Sequence, residues 1–392
     1  MKTSYPVRVV VGRGVLTAPR QAWRNRRAFA RLANGALRTA RPTLVLVAVF
    51  VLTVAGSPVG AATRGAGDYV RESDNWFRSD EARRIVTNIL SWQSPNGSWP
   101  KNNNTTVPFM GNREKLNGTF DNGATTDELR FLSRFVTVTK DTNSAAVFER
   151  GLAHILRAQY SNGGWPQYYP PPRDKYHRHI TFNDDAMVRL MTFVREVATG
   201  KGYDFVQPNQ REAAQRAFDR GIDCILKCQI KVNGKLTAWC AQHDEIDFSP
   251  RPARTYELAS LSGSESAGLV RLLMSLEKPS PEVVRSIKAA VAWFESARIP
   301  DIKVVQVEAS NTPRGKDKTV VKDANARPMW ARFYEIETGQ PIFSGRDGVK
   351  KYSLAEIEYE RRNGYAWLGY WPETLLANEY AGWQRKHFIG QP

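Results

Sequence analysis

One phrase recurs along the chain and limits what it can fold into. "QSPNGSWP" at 93–100 aligns with "QYSNGGWP" at 159–166, and a looser third copy runs from Gln229 to Trp239. The copies start 66 and 70 residues apart, which leaves room for two helices and their loops. Asn-Gly supplies the positive φ that ends a helix, and a following ring can cover the helix end. The repeat therefore predicts helical hairpins that curl into an (α/α) toroid whose loops line a cleft at one end.

Hydrophobic periodicity predicts mainly helical structure after about residue 79. Ser79 and Thr125 or Thr126 precede acidic residues and suit helix N-caps, and Ser262 with Glu265 fits a capping box. Two helices are predicted directly after Ser79 and Thr125. Further helices are predicted over 144–159, 183–199, 209–229, 263–277, 280–297 and 373–388. Alternating β pattern is scarce, with a strand predicted over 302–309 and a hairpin partner over 318–323.

The first 62 residues differ from the rest of the chain. They hold ten Lys and Arg and no acid, followed by the apolar run "TLVLVAVFVLTVAG" and the small residues "SPVGAAT". This order predicts an export leader cut near Ala61 or Ala62, with an uncleaved membrane anchor as the alternative. We divide the chain into a leader (1–62), a linker (63–79) and a catalytic domain (80–392), and expect a secreted or periplasmic protein.

The net charge limits the possible binding partners only slightly, and the cysteines leave several roles open. Subtracting the leader's ten basic residues from 56 leaves 46 Lys and Arg against 39 Asp and Glu, a net charge of +7. A mildly basic domain suits an acidic polymer, and the leader explains the basic N-terminus without nucleic acid.

Cys224, Cys228 and Cys240 are open to a disulfide or to burial as small apolar residues. A zinc site is weaker, because no set of four ligands is evident.

Three polar loops hold residues that a packed core does not need. "GTFDNGATTDE" at 118–128 and "HRHITFNDDAM" at 177–187 are rich in oxygen ligands and precede apolar helices, which suits calcium, although ordinary N-caps would look similar. "DFSPRPARTYELASLSGSES" at 247–266 carries arginines whose planar forks match carboxylates, although a solvated ion-pair surface is the alternative. His177 and His179 lack a third nitrogen ligand.

Together these segments resemble the family-10 pectate lyases. The resemblance is carried by "SWQSPNGSWPKN", "TFDNGATTDE", "YSNGGWPQYYP", "HITFNDDAM", "PRPARTYELASLSGSES", "PMWARFYEIETGQPIFSGRDG" and "LAEIEYERRNGYAWLG", in that order from Glu81 to Trp383. It implies a toroid that cleaves polygalacturonate by calcium-dependent β-elimination. One departure concerns the motif Asn-Asp-Asn of the family, where this chain has Asn183, Asp184 and Asp185. The extra carboxylate puts the affinity of the subsites in doubt rather than the reaction.

The resemblance also implies roles for individual residues. Arg254 matches the arginine that takes the proton, Asp184 a calcium-binding aspartate, Asp121 and Asn122 the second metal-site loop, and Arg332 a substrate-gripping arginine. Our metal set is Asp121, Asp184 and Asp185, with Ca²⁺ as the cofactor. The predicted substrate contacts are Arg251 (from its spacing alone), Arg332, Asn122 and Trp165, although for Trp165 capping and packing compete with sugar stacking. Because arginine has an intrinsic pKa of roughly 12.5, an arginine base predicts a rate that rises past neutral pH. We expect a monomer that binds neither nucleic acid nor membrane through its mature domain.

Three other functions stay open at this point. A glycoside hydrolase would need two carboxylates flanking the bond, and Asp and Glu candidates are plentiful. A non-catalytic pectin-binding protein would keep the rings and arginines. A triterpene cyclase shares the QxxxGxW pattern, but it needs the cluster DxDD, whereas this chain has only "NDD" and arginine-rich loops that repel a carbocation.

Overall fold

The computed structural model describes residues 64–388, so the leader predicted over 1–62 lies outside the described residues. Among residues 64–388 no helix is both long enough and apolar enough to cross a membrane. The segment predicted as a linker, 63–79, is folded against the domain over the part that the structure describes. A 3₁₀ turn at Ala66–Tyr69 and a short helix at Asp74–Phe77 pack against the helix that follows Thr125, and Phe77 is fully buried.

The described chain is mainly helical. The α-helices are α1 (Asp74–Phe77), α2 (Asp80–Ser91), α3 (Thr126–Thr139), α4 (Thr142–Ala158), α5 (Ala186–Thr199), α6 (Pro208–Cys228), α7 (Glu265–Met274), α8 (Pro281–Ser296), α9 (Tyr359–Gly364) and α10 (Tyr380–Phe388). A π-helical turn, Leu375–Glu379, leads into α10. The helices predicted from periodicity are confirmed to within a few residues at each end. Ser79 caps α2 as predicted, since its side chain accepts from the backbone N–H of Ala82.

The strands are short and pair locally. They are β1 (Ile180–Thr181), β2 (Lys231–Val232), β3 (Lys235–Leu236), β4 (Gln242–His243), β5 (Leu261–Ser262), β6 (Ile302–Glu308), β7 (Lys316–Lys322), β8 (Trp330–Ala331), β9 (Phe333–Tyr334), β10 (Phe343–Ser344), β11 (Lys350–Lys351) and β12 (Leu368–Gly369). The antiparallel pairs are β1–β4, β2–β3, β5–β9, β6–β7, β8–β12 and β10–β11. The predicted hairpin is confirmed as β6–β7, in which Ile302 lies opposite Lys322.

The helices form two concentric layers, as the predicted toroid requires. Helices α3, α5 and α7 contact one another in turn, and α2, α4, α6 and α8 do the same around them. Buried residues make up a larger share of the inner helices than of the outer ones. One large apolar core fills the space between the layers, and a smaller cluster around Tyr256 and Trp367 lies under β8 to β10. The (α/α) toroid is therefore confirmed.

The repeated glutamines connect successive outer helices. Each Nε2 donates to a carbonyl of its own turn and to a carbonyl of the next outer helix. The pairs of acceptors are Gly97 and Val147 for Gln93, Gly163 and Ala217 for Gln159, and Thr237 and Ser286 for Gln229. The repeat therefore fixes how neighbouring hairpins stack, which explains its spacing along the chain.

The repeated tryptophans cover the ends of the outer helices. Each is fully buried, and its indole N–H donates to a carbonyl in the last turn of the preceding outer helix: Trp99 to Ile89 at 2.8 Å, Trp165 to Ile155 at 2.9 Å, and Trp239 to Ile225 at 2.7 Å. Carbonyls in the last turn of a helix have no partner further along the helix, and the indole N–H supplies one; the Ile89 carbonyl also accepts from the backbone N–H of Trp92. Packing therefore accounts for all three rings.

The three cysteines are free and buried. Cys224 and Cys228 lie on α6, and Cys240 precedes β4. Burial raises the pKa of the Cys240 thiol, which keeps it protonated and unreactive. The alternative of buried apolar residues therefore describes them better than a disulfide.

Candidate active site

Two equivalent turns carry the acidic residues that precede α3 and α5. Asp121–Gly123 and Asn183–Asp185 are 3₁₀ turns that follow a phenylalanine and lie beside each other. Their last two residues have left-handed backbone, with φ of 54° and 80° in the first turn and 51° and 59° in the second. Asn, Asp and Gly adopt this conformation most readily. The turns direct the side chains of their first two residues toward one cavity.

This cavity has a volume of about 170 Å³ and a strongly polar lining. It contains four of the predicted site residues, Asp121, Asn122, Asp184 and Arg254. The rest of the lining is Lys101, Asn102, Gln167, Tyr176, Asn183, Gln242 and Glu257. An adjoining cavity of about 180 Å³ shares Lys101, Asn102 and Asn122 and extends toward residues 65–68. The two cavities are therefore neighbours that share part of their lining.

Asp121 has the contacts expected of a cation ligand. Its side chain is buried, the ammonium group of Lys101 donates to Oδ2, and Gln167 Nε2 donates to the same oxygen at 2.8 Å. Oδ1 is buried and has no hydrogen-bond partner among the described residues. An unpaired buried carboxylate oxygen costs free energy unless something else binds it. A hard cation held by Asp121 and the nearby oxygen ligands fits this arrangement.

Asp184 is held from behind by Arg332. Arg332 is buried, and its Nη2 donates to Asp184 Oδ1 at 2.8 Å and to the carboxylate of Glu265. Partial burial disfavours the charged form of Asp184, but the charge of Arg332 holds its pKa below the usual value. Asp184 therefore stays ionised, as a metal ligand must. Arg332 does not line the cavity. Its contacts indicate that it orients Asp184, so gripping of a substrate carboxylate stays a prediction.

Arg254 lines the same cavity and is held by Glu257. Its Nε donates to Glu257 Oε2 at 2.8 Å, and its guanidinium carbon lies 5.2 Å from the centre of the Tyr256 ring. Burial opposes the cationic form, but the hydrogen bond and charge of Glu257 outweigh it and raise the pKa of Arg254. Arg361 and Arg346 also lie over Tyr256, at 4.5 and 5.9 Å. Each of these arginines is paired with a glutamate, Arg254 with Glu257 and both Arg346 and Arg361 with Glu360.

Two predicted site residues lie elsewhere. Trp165 is fully buried and bonded to Ile155, so its ring is not available to a sugar, and helix capping replaces the predicted substrate contact. The carboxylate of Asp185 packs against Gly268 of α7 and lines a separate cavity, so it does not join the other metal-site residues. Burial, followed by the charge of Glu265, raises the pKa of Asp185 to about 6.

Arg251 is paired with Asp244 outside the cavity. Its Nε donates to Asp244 Oδ2 at 2.9 Å, and it does not line the cavity. The structure thus gives Arg251 an ion pair, and its role in substrate binding stays a prediction.

A second group of potential ligands occurs near β1 and β4. The ligand atoms of His179, Asp244 and Glu245 lie within 4.8 Å of one another, so the group could hold a metal ion. Both carboxylates, however, already accept from arginines, Asp244 from Arg251 and Glu245 from Arg178. Its contacts are those of a salt-bridge network, and the cavity with the unpaired Asp121 oxygen fits a hard cation better.

Among the residues that line the cavity, sequence reasoning did not single out Lys101, Gln167, Tyr176 or Glu257. Lys101 and Gln167 follow the repeated tryptophans by two residues, so the repeat itself could have indicated them. Tyr176 lines the cavity and stacks on His177 with ring centres 4.0 Å apart. Glu257 had no sequence signal, because its importance follows from contact with Arg254; Tyr365 does not line the cavity and donates to Glu257.

A family model described as pectic acid lyase matches residues 93–376. The fold is similar to the family 10 polysaccharide lyase from Cellvibrio cellulosa, with 34% identity, coverage of 79% of this chain and 96% of that chain, and a TM-score of 0.69. A mutant of that lyase in complex with trigalacturonic acid is similar at 34% identity, 79% and 95% coverage, and a TM-score of 0.68. No curated protein sequence matches the chain.

Proposed function

The chain belongs to the pectic acid lyase family, and on this premise we propose that it cleaves polygalacturonate by calcium-dependent β-elimination. It is a lyase with an acidic polysaccharide as substrate. Calcium-dependent β-elimination is proposed because Asp121, Asp184 and Arg254 all line one cavity. Acidic ligands for a cation and a basic residue line the same polar cavity. This arrangement matches a reaction that removes a proton beside a carboxylate.

Elimination removes the C5 proton of a galacturonate unit and expels the glycosidic oxygen at C4, so a double bond forms between C4 and C5. The C5 proton is weakly acidic, and negative charge spreads onto the adjacent carboxylate as it leaves. In our proposal Arg254 accepts this proton. Lys101 contributes positive charge from the other side of the cavity, and Tyr176 and Asn122 bound the space for the sugar ring. Preorganised positive charge at the developing anion is the largest stabilising effect available to such a site.

Asp121 and Asp184 would hold the calcium ion. The unpaired Oδ1 of Asp121 and the ionised carboxylate of Asp184 are hard oxygen ligands, and Asn122 offers an amide oxygen in the same cavity. When bound, calcium would neutralise the uronate carboxylate and stabilise the charge that develops beside it. Arg332 supports this function indirectly, because it fixes the orientation of Asp184.

The protonation state of Arg254 predicts the pH dependence. A base must be deprotonated, and Glu257 favours the protonated form of Arg254. The rate should therefore increase with pH well past neutrality. A flat profile between about pH 6 and 10 would argue against an arginine base.

We extend the proposal to location and assembly. The leader at 1–62 would direct the domain out of the cell, where pectic polymers occur, and the domain would act as a monomer. Determining the N-terminal sequence of the exported protein tests the cleavage, and light scattering tests the oligomeric state.

The decisive experiment follows the ultraviolet absorbance of unsaturated uronides with polygalacturonate at alkaline pH, first with calcium and then with EDTA. A rise that EDTA abolishes supports the proposal. Arg254→Ala and Asp184→Ala should abolish the rise, while Arg285→Ala, which breaks an exposed ion pair on α8, should not. New reducing ends without absorbance would indicate a hydrolase, and binding without either product would indicate a binding protein.

A further inference from the structure

A buried glutamate and a part-buried tyrosine pack around Arg254. Glu257 is 4% exposed, and its carboxylate accepts from three groups of Arg254: the backbone N–H at 3.1 Å, Nε at 2.8 Å and Nη2. The backbone closes the same turn, since the N–H of Glu257 donates to the Arg254 carbonyl at 2.7 Å. This bidentate contact fixes both the position and the plane of the guanidinium. It uses Nε and Nη2 and leaves Nη1 as the nitrogen that Glu257 does not bind.

Tyr365 completes the arrangement from the other side. Its hydroxyl donates to Glu257 Oε1 at 2.7 Å, and its ring centre lies 5.7 Å from the guanidinium carbon of Arg254 and 4.9 Å from that of Arg332. Burial raises the pKa of Tyr365, so its hydroxyl remains a donor at alkaline pH. The tyrosine thus connects Arg254 with Arg332, the residue that orients Asp184.

We propose that Glu257 and Tyr365 are positioning residues that hold Arg254 in its reactive orientation and set the pH range in which it accepts the proton. This inference rests on the proposed function, in which Arg254 is the base. A hydrogen-bonded carboxylate orients the guanidinium but also stabilises its cation. Glu257 therefore gives Arg254 the correct geometry while it shifts proton abstraction toward alkaline pH.

The other charges around Arg254 do not replace Glu257. Burial lowers the pKa of Arg254, and Glu257 is the largest influence that raises it, ahead of the two neighbouring tyrosines. The titratable and charged groups that face Arg254 are Glu257, Tyr256, Tyr365, Tyr176, His177, Asp184 and Arg361. Of these, Glu257 is the carboxylate that hydrogen-bonds the guanidinium.

The test compares pH profiles of kcat/KM for Glu257→Gln and Glu257→Asp with the wild type, at saturating calcium. Removal of an opposite charge in direct contact shifts a pKa by about 1–3 units. Glu257→Gln should therefore move the alkaline limb to lower pH by about one unit or more and lower the maximal kcat at least about tenfold. Glu257→Asp keeps the charge but shortens the reach, so it should lower kcat and leave the limb in place.

The chain contains a matched control with the same three residue types. On the outside of α3 and α5, Glu196 accepts from Arg130 Nε at 2.8 Å and from the Tyr203 hydroxyl at 3.2 Å. Glu196→Gln should change neither the limb nor kcat. If Glu257→Gln fails to fold, which circular dichroism shows, Tyr365→Phe and Glu257→Asp carry the test. Tyr365→Phe should lower kcat several-fold with little change in KM, whereas a purely structural tyrosine would change thermal stability alone.

The outcomes separate this inference from the function on which it rests. If Arg254→Ala is inactive and the wild type has an alkaline limb that Glu257→Gln does not move, the positioning inference is overturned while the base assignment survives. If Arg254→Ala retains activity, or the wild-type profile is flat, the base assignment fails and the inference fails with it.

Discussion

Replacement of Trp165 by phenylalanine tests whether the aromatic loop serves structure or substrate. The indole is fully buried, and its Nε1 donates to the carbonyl of Ile155 in the last turn of α4 at 2.9 Å. Phenylalanine keeps an apolar ring but removes the donor. If the structural role is correct, the variant should lose stability and keep its affinity for polygalacturonate.

The expected loss follows from two contributions. The Ile155 carbonyl would lose its partner in a buried place, which costs about 1–3 kcal/mol. The smaller ring leaves a void, which adds about 1 kcal/mol. The free energy of unfolding should therefore fall by about 2–4 kcal/mol, and Tm should fall by roughly 4–8 °C for a domain of this size.

Urea denaturation and the KM for polygalacturonate together decide between the two roles. Trp99→Phe and Trp239→Phe serve as controls, because each indole makes the same bond to its own outer helix. Trp239→Phe should lose similar stability and Trp99→Phe less, because the Ile89 carbonyl keeps the backbone N–H of Trp92; KM should be unchanged in all three. A rise in KM confined to Trp165→Phe, at wild-type stability, would refute the packing argument and indicate that Trp165 contacts the substrate.

Three further predictions address the acids and the turns. Burial raises the pKa of Glu128 to about 7. The protonated side chain therefore stabilises the native state fully below about pH 4.5, and about 3 kcal/mol of the free energy of unfolding is lost as the pH rises through 7. Glu128→Gln should remove this pH dependence, as measured by urea denaturation at pH 5 and pH 8. Asp121→Asn should weaken calcium binding at least about tenfold by calorimetry, while Asp185→Asn should leave it unchanged because Asp185 lies outside the cavity. Gly163→Ala should lower the free energy of unfolding by about 2 kcal/mol or more, because its φ is 92° and a Cβ would lie 2.0 Å from a backbone carbonyl of α6. Gly234→Ala should lower it less, because Gly234 has a φ of 77° but open space around it. Equal losses of stability in the two variants would contradict the steric argument.

The fold was predictable because the repeat and the helical periodicity agree. The glutamine and tryptophan of each copy bond to backbone carbonyls of helices, so their spacing along the chain reports the spacing of the hairpins. The substrate side was less predictable. A tryptophan in a loop can either stack on a sugar ring or cap a helix end, and only its burial in the structure distinguishes these two roles. Glu257 and Tyr365 lie 108 residues apart in sequence, so their contact depends on the closed toroid.

The position of Asp185 outside the cavity has a cause that the sequence itself contains. The turns 121–123 and 183–185 are equivalent, so Asp121 corresponds to Asn183, Asn122 to Asp184, and Gly123 to Asp185. Gly123 has no side chain, so the third position of the turn need not supply a ligand. What the third position requires is left-handed backbone, with φ of 80° at glycine and 59° at aspartate, and aspartate tolerates that conformation. An oxygen-rich cluster therefore overstates the number of metal ligands, because some of its members are selected by the backbone. Alignment of the two turns reduces the ligand set to one carboxylate from each, Asp121 and Asp184, and these are the two acids of the turns that line the cavity.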